Sequence, residues 1–168
     1  MTPATEVGYV EMRIAKAVGL AADDELFDCV VLEEVAGDRH LVIEIGQPEA
    51  FSLAARLGGI TWPRPMTYQF AAGLMQALGG RVRQVRIDEV VEKTYVATAE
   101  VEGPLGVQPV DARPSDALNL AVLVQAPIFV APEVLQAGEG RRTGDSPGAA
   151  RLRRALVAPP MTIESVGR

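Results

Sequence analysis

The first 45 residues carry the alternation of apolar and polar positions, and the β-branched runs, that are typical of strands. Strands are predicted over residues 7–18, 26–35 and 41–45. Gly37-Asp38 supplies a turn between the second and the third of them. These two segments are therefore predicted to pair as a hairpin.

After these strands the apolar spacing changes to that of a helix. Pro48 and Glu49 favour a helix start, because proline suits the first turn and a carboxylate suits the positive end of the helix dipole. Gly58-Gly59 ends this first helix. A second helix is predicted over residues 68–78, with Thr67 as its N-cap, from apolar residues at helical spacing: Phe70, Ala71, Leu74, Met75 and Leu78.

The second half of the pattern returns to strands. It predicts a hairpin of residues 82–91 with 94–101, followed by a strand over residues 107–112. A helix over residues 117–124, a central apolar strand over 127–130 and a short helical segment over 132–137 come next. Strands and helices that do not alternate regularly predict an α+β fold, with a mixed β-sheet and helices packed against it in a single compact domain of residues 1–137. Residues 138–168 are rich in Gly, Pro and Arg and are predicted to be a mobile tail.

Composition narrows the class of protein. The 168-residue chain has 48% hydrophobic residues, as globular domains do, and no run of roughly 20 apolar residues that would span a membrane. Its N-terminal segment lacks the features of a secretion signal, and the lone Cys29 excludes an internal disulfide, so a cytoplasmic location is expected. The net charge of −6 argues against non-specific wrapping of nucleic acid. It does not exclude a nuclease, because metal-binding carboxylates are themselves acidic.

Two proline-containing segments that lead into helix N-termini carry the candidate chemistry: residues 62–68 and 110–117. Helix N-termini attract anions, and Arg64 and Arg113 beside them can hold a phosphate or carboxylate group. Asp111 and Asp116 lie across a turn from each other and are candidate ligands for Mg²⁺ or Mn²⁺. The structural alternative is that Ser115 or Asp116 caps the helix and that Arg113 pairs with Asp111 or Asp116 to lock the loop.

Other catalytic motifs are missing from the sequence. It has no phosphate-binding loop, dinucleotide fingerprint, nucleophile elbow or pair of metal-type cysteines. The lone His40 is predicted to be a strand-end or surface residue, and Cys29 a buried inert thiol. Arg81 and Arg83, two apart on a predicted strand, would share one face and either extend a nucleic-acid track or form a solvated surface.

The order and spacing of several short strings resemble those of the bifunctional nuclease (BFN) domain family over residues 26–137. The most specific strings are Pro63-Arg64-Pro65-Met66-Thr67 and Asp111-Ala112-Arg113-Pro114-Ser115-Asp116-Ala117, supported by Ile45-Gly46 with Glu49-Ala50. The resemblance implies a compact α+β domain, often self-associated, with DNase and RNase activity in some relatives. The family usually has His and then Asp or Glu after the threonine, where this chain has Tyr68-Gln69. With an ordinary pKa near 10, Tyr68 is a poor general base at neutral pH.

Two main hypotheses follow, and DNA or RNA is the expected partner in the first. The first hypothesis is a nuclease assisted by a divalent metal, Mg²⁺ or Mn²⁺. Asp111, Arg113 and Asp116 are its catalytic residues, and the two aspartates also bind the metal. Four residues bind the substrate: Arg64, Thr67, Tyr68 and Ser115. The second is a non-catalytic binding or regulatory module that keeps the fold and the anion pocket, which the loss of the His-acid pair favours. A small-anion enzyme or sensor is a third. A homodimer is expected, with no membrane contact.

Overall fold

A computed structural model describes residues 8–22 and 25–139 of the chain. The strands in these ranges are β1 (Val10–Ala22), β2 (Glu25–Glu34), β3 (His40–Ile45), β4 (Arg81–Val91), β5 (Thr94–Gly103), β6 (Gly106–Ala112) and β7 (Ile128–Val130). The helices there are α1 (Gln47–Leu57), α2 (Thr67–Ala77), α3 (Pro114–Val124) and α4 (Pro132–Glu139). The strands form one seven-stranded sheet in the order β3-β2-β1-β7-β4-β5-β6.

The short strand β7 joins two antiparallel halves of the sheet. It runs antiparallel to β1 and parallel to β4, so the sheet is mixed. All three residues of β7 are buried, which explains its uninterrupted apolar sequence, because a central strand is covered on both faces. The predicted α+β class is confirmed, and so are the predicted hairpins, β2 with β3 and β4 with β5.

The core lies between the sheet and helices α1, α3 and α4. Its largest fully buried side chains come from both layers: Leu32, Leu41, Ile43, Leu53, Ile87, Leu118 and Leu135. Small buried residues, Ala50 on α1 and Ala117 and Ala121 on α3, let these two helices pack closely. The first turns of α1 and α3 are thereby fixed beside each other.

Helix α2 differs from its sequence prediction in its start and in its burial. Met66 occupies the N-cap position and Thr67 is the first helical residue, so the prediction that Thr67 caps the helix is wrong. The side chain of Gln69 replaces that cap, because its Oε1 accepts a hydrogen bond from the Met66 backbone N–H at 3.1 Å. None of the residues of α2 is buried, and its apolar stripe faces outward: Phe70 and Leu74, continued by Leu78.

Helix α3 begins at Pro114, three residues before the predicted start at residue 117. Arg113 holds the N-cap position with extended backbone angles, and no side chain caps the helix there. The prediction that Ser115 or Asp116 caps α3 is therefore wrong, since both lie inside its first turn. The proline explains the early start, because its fixed φ angle suits the first helical position.

Arg81 and Arg83 are predicted to share one face of a strand. Arg81 is exposed and Arg83 is partly exposed, with the buried Val82 between them, and the pairing of β4 with β5 shifts register between Val82 and Gln84. Arg81 is ion-paired with Glu102, with Nη2 to Oε2 at 2.6 Å. A role of these two arginines in a nucleic-acid track stays a prediction from sequence.

Most of the predicted tail, residues 140–168, lies outside the described ranges. The helices within those ranges are all too short or too polar to cross a lipid bilayer.

Candidate active site at three helix N-termini

Four polar side chains meet where three helices begin. Glu49 is the third residue of α1, Tyr68 is the second of α2 and Asp116 is the third of α3. Arg113 occupies the N-cap position of α3. The positive ends of the helix dipoles favour the two carboxylates in these positions. We call Glu49, Tyr68, Arg113 and Asp116 the Arg113 cluster.

Arg113 is the centre of this cluster. Its Nε donates to Asp116 Oδ2 at 2.7 Å, its Nη2 donates to Asp116 Oδ1 at 3.0 Å, and Nη2 also donates to Glu49 Oε1 at 2.9 Å. The Tyr68 hydroxyl donates to Asp116 Oδ1 at 2.8 Å. The Arg113 side chain is nevertheless 66% exposed, and no described contact uses its Nη1 group. A guanidinium has five N–H donors, so those of Nη1 remain available to a ligand.

These hydrogen bonds fix the protonation states of the cluster. Partial burial, together with the bond to Asp116, raises the pKa of the Tyr68 phenol above its ordinary value. Partial burial also works to raise the pKa of Asp116, but the hydrogen bonds from Arg113 and Tyr68 outweigh it and hold the pKa below its ordinary value. The bonds to Asp116 and Glu49 raise the pKa of Arg113. At neutral pH, Tyr68 is therefore a hydrogen-bond donor, Asp116 a carboxylate and Arg113 a cation.

Two further residues position the cluster from outside it. Asn119 is 4% exposed, and its Nδ2 donates to the backbone carbonyl oxygens of Glu49 at 3.1 Å and of Ser115 at 2.9 Å. This side chain holds the first turn of α1 against that of α3. Gly46 precedes α1, and a Cβ at this position would collide with the Glu49 carboxylate. The glycine therefore permits the Glu49 side chain to fold back over the start of its own helix.

Asp111 lies on the other face of the sheet. In the pairing of β6 with β5 it is directly opposite Thr98, and directly opposed residues share a face. The Thr98 hydroxyl donates to Asp88 at 2.6 Å, whereas the neighbouring residues Ala97 and Ala99 point into the core below the helices. Among the described contacts, none joins Asp111 to the Arg113 cluster.

The other predicted substrate-binding residues have separate positions. Arg64 is exposed in the segment between α1 and α2, and none of the described contacts links it to Arg113. Thr67 is exposed at the start of α2, while Ser115 is buried in the first turn of α3. Of the residues proposed from sequence, the structure thus brings together Tyr68, Arg113 and Asp116.

The arrangement of acidic residues does not fit a metal ion shared by Asp111 and Asp116. Asp111 projects from the face of the sheet opposite to the helix layer that carries Asp116, so their oxygens do not converge on one point. Residues 8–22 and 25–139 contain no group of three or more His, Cys, Asp or Glu side chains that could hold a metal ion. Metal assistance stays a prediction from sequence.

Comparison with known proteins connects this geometry to a family. A model of the bifunctional nuclease domain matches residues 30–141, which include every member of the Arg113 cluster. The chain belongs to the bifunctional nuclease domain family. An uncharacterized protein of Mycobacterium tuberculosis is 40% identical over 110 residues, which are 65% of this chain and 65% of that protein.

Two plant relatives carry the family name in their own names. Bifunctional nuclease 1 of Oryza sativa is 32% identical over 104 residues, or 60% of this chain and 31% of the plant protein. Bifunctional nuclease 2 of Arabidopsis thaliana is 32% identical over 118 residues, or 68% of this chain and 35% of the plant protein. The chain therefore matches less than two thirds of each relative's length, and about one third of the plant proteins.

Sequence reasoning missed Glu49 as a member of the site. It treated Glu49 as a favourable charge at a helix start, which it is, and as part of the string that resembles the family. The available signal was the combination of Gly46 with Glu49, because a glycine directly before a helix leaves room for a carboxylate to fold back. That Glu49 also accepts a hydrogen bond from Arg113 depends on the packing of α1 against α3.

Proposed function

We propose that this protein hydrolyses phosphodiester bonds in DNA or RNA at the Arg113 cluster. The proposal is supported by family membership together with one structural observation. Arg113 lies in one of the two most specific family strings. Its guanidinium is held by the carboxylates of Asp116 and Glu49, yet its Nη1 group remains open to a ligand. An arginine oriented in this way can bind a phosphate oxygen without having to be ordered first.

The cluster offers a division of roles for the reaction. Arg113 would bind a non-bridging phosphate oxygen and stabilise the negative charge that grows there in the transition state. Asp116 Oδ2 accepts one hydrogen bond in the described contacts and can accept a second one from the attacking water. The water oxygen would form a bond to phosphorus while the bond from phosphorus to the leaving oxygen breaks. The water proton would pass to Asp116 and then to solvent, and the leaving oxygen would take a proton from solvent. Tyr68 keeps its proton and orients Asp116.

The test is cleavage of labelled single-stranded DNA and RNA by the purified protein, with Mg²⁺, with Mn²⁺ and with EDTA. We expect cleavage to fall at least about tenfold in Arg113→Gln and in Asp116→Asn, since each removes charge that the transition state uses. The matched control is Arg13→Gln, because Arg13 is also exposed and ion-paired, to Glu33, away from the cluster. Equal loss in the control, or full activity in both cluster variants, would refute the site. The EDTA arm determines whether a divalent metal takes part.

A binding or regulatory module without turnover is the second candidate function. It is favoured by the charge of the cluster, in which one guanidinium faces two carboxylates, and by Tyr68-Gln69 in place of the family's His-acid pair. The double variant Tyr68→His with Gln69→Glu separates the two candidates. Glu at position 69 retains an oxygen that can accept from the Met66 N–H, so the helix start is preserved. Cleavage that begins only in this variant would support the module; cleavage by the unaltered chain would rule it out.

We also propose a homodimer in which the outer face of α2 packs on the same face of a second copy. Phe70, Leu74 and Leu78 are 60%, 52% and 78% exposed and follow one another at four-residue spacing along one side. Helix α2 contains no charged residue. A second copy can therefore approach this face without local like-charge repulsion, although the chain carries a net charge of −6.

Sedimentation velocity tests the dimer. Leu74→Glu should convert a dimer to a monomer, because it would bury two opposed carboxylates at the twofold contact. Val35→Glu is the matched control, since Val35 is similarly exposed in the turn between β2 and β3. A monomeric unaltered protein would refute the proposal, as would a dimer that survives Leu74→Glu.

A cytoplasmic location stays a prediction from the single cysteine.

A further inference from the structure

An open groove lies beside the Arg113 cluster. It is a shallow depression that opens to solvent between α1, α3 and the segment that leads into α2, and its enclosed space is about 20 Å³. Its wall includes three aromatic side chains, one cation and one amide: Phe51, Trp62, Tyr68, Arg56 and Gln69. Tyr68 belongs to both the groove and the cluster, so a ligand in the groove would touch the residue that orients Asp116.

Trp62 gives the groove a flat aromatic wall. The indole is 36% exposed, and its ring centroid lies 6.1 Å from that of Phe51 at an interplanar angle of 44°. Phe51 supports the ring from one side, while Pro63 and Pro65 restrict the backbone that carries it. A supported and partly exposed indole is suited to stacking against another flat ring at little cost in conformational entropy.

The polar groups of the groove suit the edges and the charge of a nucleotide. Arg56 lines the groove, and no acidic side chain does so within the described part of the chain. The Gln69 Oε1 accepts a hydrogen bond from the Met66 N–H, and this bond fixes the orientation of the side-chain amide. None of the described contacts uses the Nε2 donor of the same amide. An otherwise acidic protein thus presents an aromatic surface, a cation and an amide donor together at this place.

We propose that this groove binds one unpaired nucleobase, stacked on Trp62, while the adjoining phosphate group reaches Arg113. The inference rests on the proposed function and names its substrate class, single-stranded nucleic acid. A base in a duplex is stacked and paired, and it cannot lie against the indole without being flipped out. Stacking tolerates any base, because every base has a π-face, so both DNA and RNA strands qualify.

Trp62 is the sole tryptophan of the chain, and its fluorescence therefore reports on the groove directly. The probes are decanucleotides of deoxythymidine, deoxyadenosine and uridine with phosphorothioate linkages, which resist cleavage, and a duplex of the first two. We expect saturable quenching by the single strands and binding of the duplex at least about tenfold weaker. Inorganic phosphate, which has no base, should bring no quenching.

Variants separate stacking from general affinity. Anisotropy of a labelled single strand should show binding weakened about tenfold in Trp62→Leu and by less than about threefold in Trp62→Phe, which keeps an aromatic face. Leu105→Ala is the matched control, because Leu105 is an exposed apolar residue in the turn between β5 and β6 and does not line the groove. Circular dichroism of each variant confirms its fold.

The outcomes distinguish failure of the groove from failure of the proposed function. Binding by anisotropy with unchanged Trp62 fluorescence, or with equal loss in Leu105→Ala, would overturn the groove while leaving nuclease activity standing. Equal affinity for duplex and single strand would overturn it too. No binding and no cleavage of any strand would overturn both.

Discussion

The Tyr68 hydroxyl donates to Asp116 Oδ1 at 2.8 Å and so ties the first turn of α2 to the first turn of α3. This contact is important for α2 because none of the residues of that helix is buried. It also gives Asp116 a second donor residue beside Arg113. Tyr68 therefore affects both the attachment of a helix and the state of a candidate catalytic carboxylate.

Replacing Tyr68 by Phe should loosen α2 more than it destabilises the whole domain. We expect the free energy of unfolding to fall by about 1 kcal/mol, the usual net value of a hydrogen bond. Hydrogen exchange of the α2 amides should accelerate selectively, because this helix has little buried surface to hold it. Urea unfolding and amide exchange measured by NMR provide the two readouts.

The control for this prediction is Tyr9→Phe. The Tyr9 hydroxyl also donates to a carboxylate, that of Asp88, at 2.8 Å, but at the sheet rather than at α2. It should lower stability without a selective change in α2. Unaltered α2 exchange in Tyr68→Phe would contradict the role given to this bond.

The pH dependence of stability at the alkaline end should change in the same variant. Burial and the bond to Asp116 raise the pKa of Tyr68 in the folded state above the unfolded value near 10. The folded protein then holds its proton more tightly, so stability falls as pH rises above about 10. The free energy of unfolding, measured in urea at pH values from about 9 to 11 on either side of the unfolded pKa, should decline less steeply with pH in Tyr68→Phe than in the unaltered protein. Parallel curves would contradict the raised pKa.

The acid end depends on Asp116. Its folded-state pKa is held below the unfolded value by Arg113 and Tyr68, so its contribution to stability is present above about pH 4 and is lost as pH falls through the folded pKa. The difference in unfolding free energy between the unaltered protein and Asp116→Asn should therefore shrink on acidification from neutral pH. Asp38→Asn, in the exposed turn between β2 and β3, controls for removal of one negative charge. A difference independent of pH would contradict the assignment.

How far the sequence predicts this structure depends on whether a feature is local. The hairpin of β4 with β5 is local, since Glu92 and Lys93 both adopt positive φ and form its turn. Apolar spacing likewise predicts α2 as a helix. It does not predict that Phe70 and Leu74 face outward, because periodicity identifies a common side of a helix and not what covers that side.

The candidate site was partly predictable for the same reason. Arg113 and Asp116 lie within one string and one helical turn, so their pairing follows from the chain itself. Asp111 is close in sequence but lies on β6, where alternation along the strand turns its side chain to the opposite face of the sheet. Glu49 comes from a distant helix, and its place beside Arg113 depends on tertiary packing.

Asn119 should prove essential to that packing. Its side chain donates to the carbonyl oxygens of Glu49 and Ser115 in a buried position, so Asn119→Ala would leave two carbonyl groups with one partner fewer. We expect a loss of about 1–3 kcal/mol in urea unfolding, with weaker coupling of α1 to α3. The control is Gln76→Ala, which also removes a side-chain amide, but from an exposed position on α2. Equal stability of the two variants would argue against the link between the helices.

Cys29 should be inert in the folded protein. It is 2% exposed, and burial, followed by the nearby charges of Asp28 and Glu44, raises the pKa of the thiol to about 11. At pH 8 about one thiol in a thousand would then be a thiolate, and that fraction would still be shielded from the reagent. Reaction with a chromogenic disulfide should therefore be slow in buffer and should reach one thiol per chain within seconds to minutes in concentrated urea.

The same prediction bears on the proposed homodimer. Because the chain has one cysteine and that cysteine is buried, a dimer seen by sedimentation should persist in reducing agent and run as a monomer on non-reducing denaturing gels. Rapid, stoichiometric labelling of the native protein would show that Cys29 is accessible. A dimer that dissociates on reduction would mean that a disulfide, and not the outer face of α2, joins the two copies.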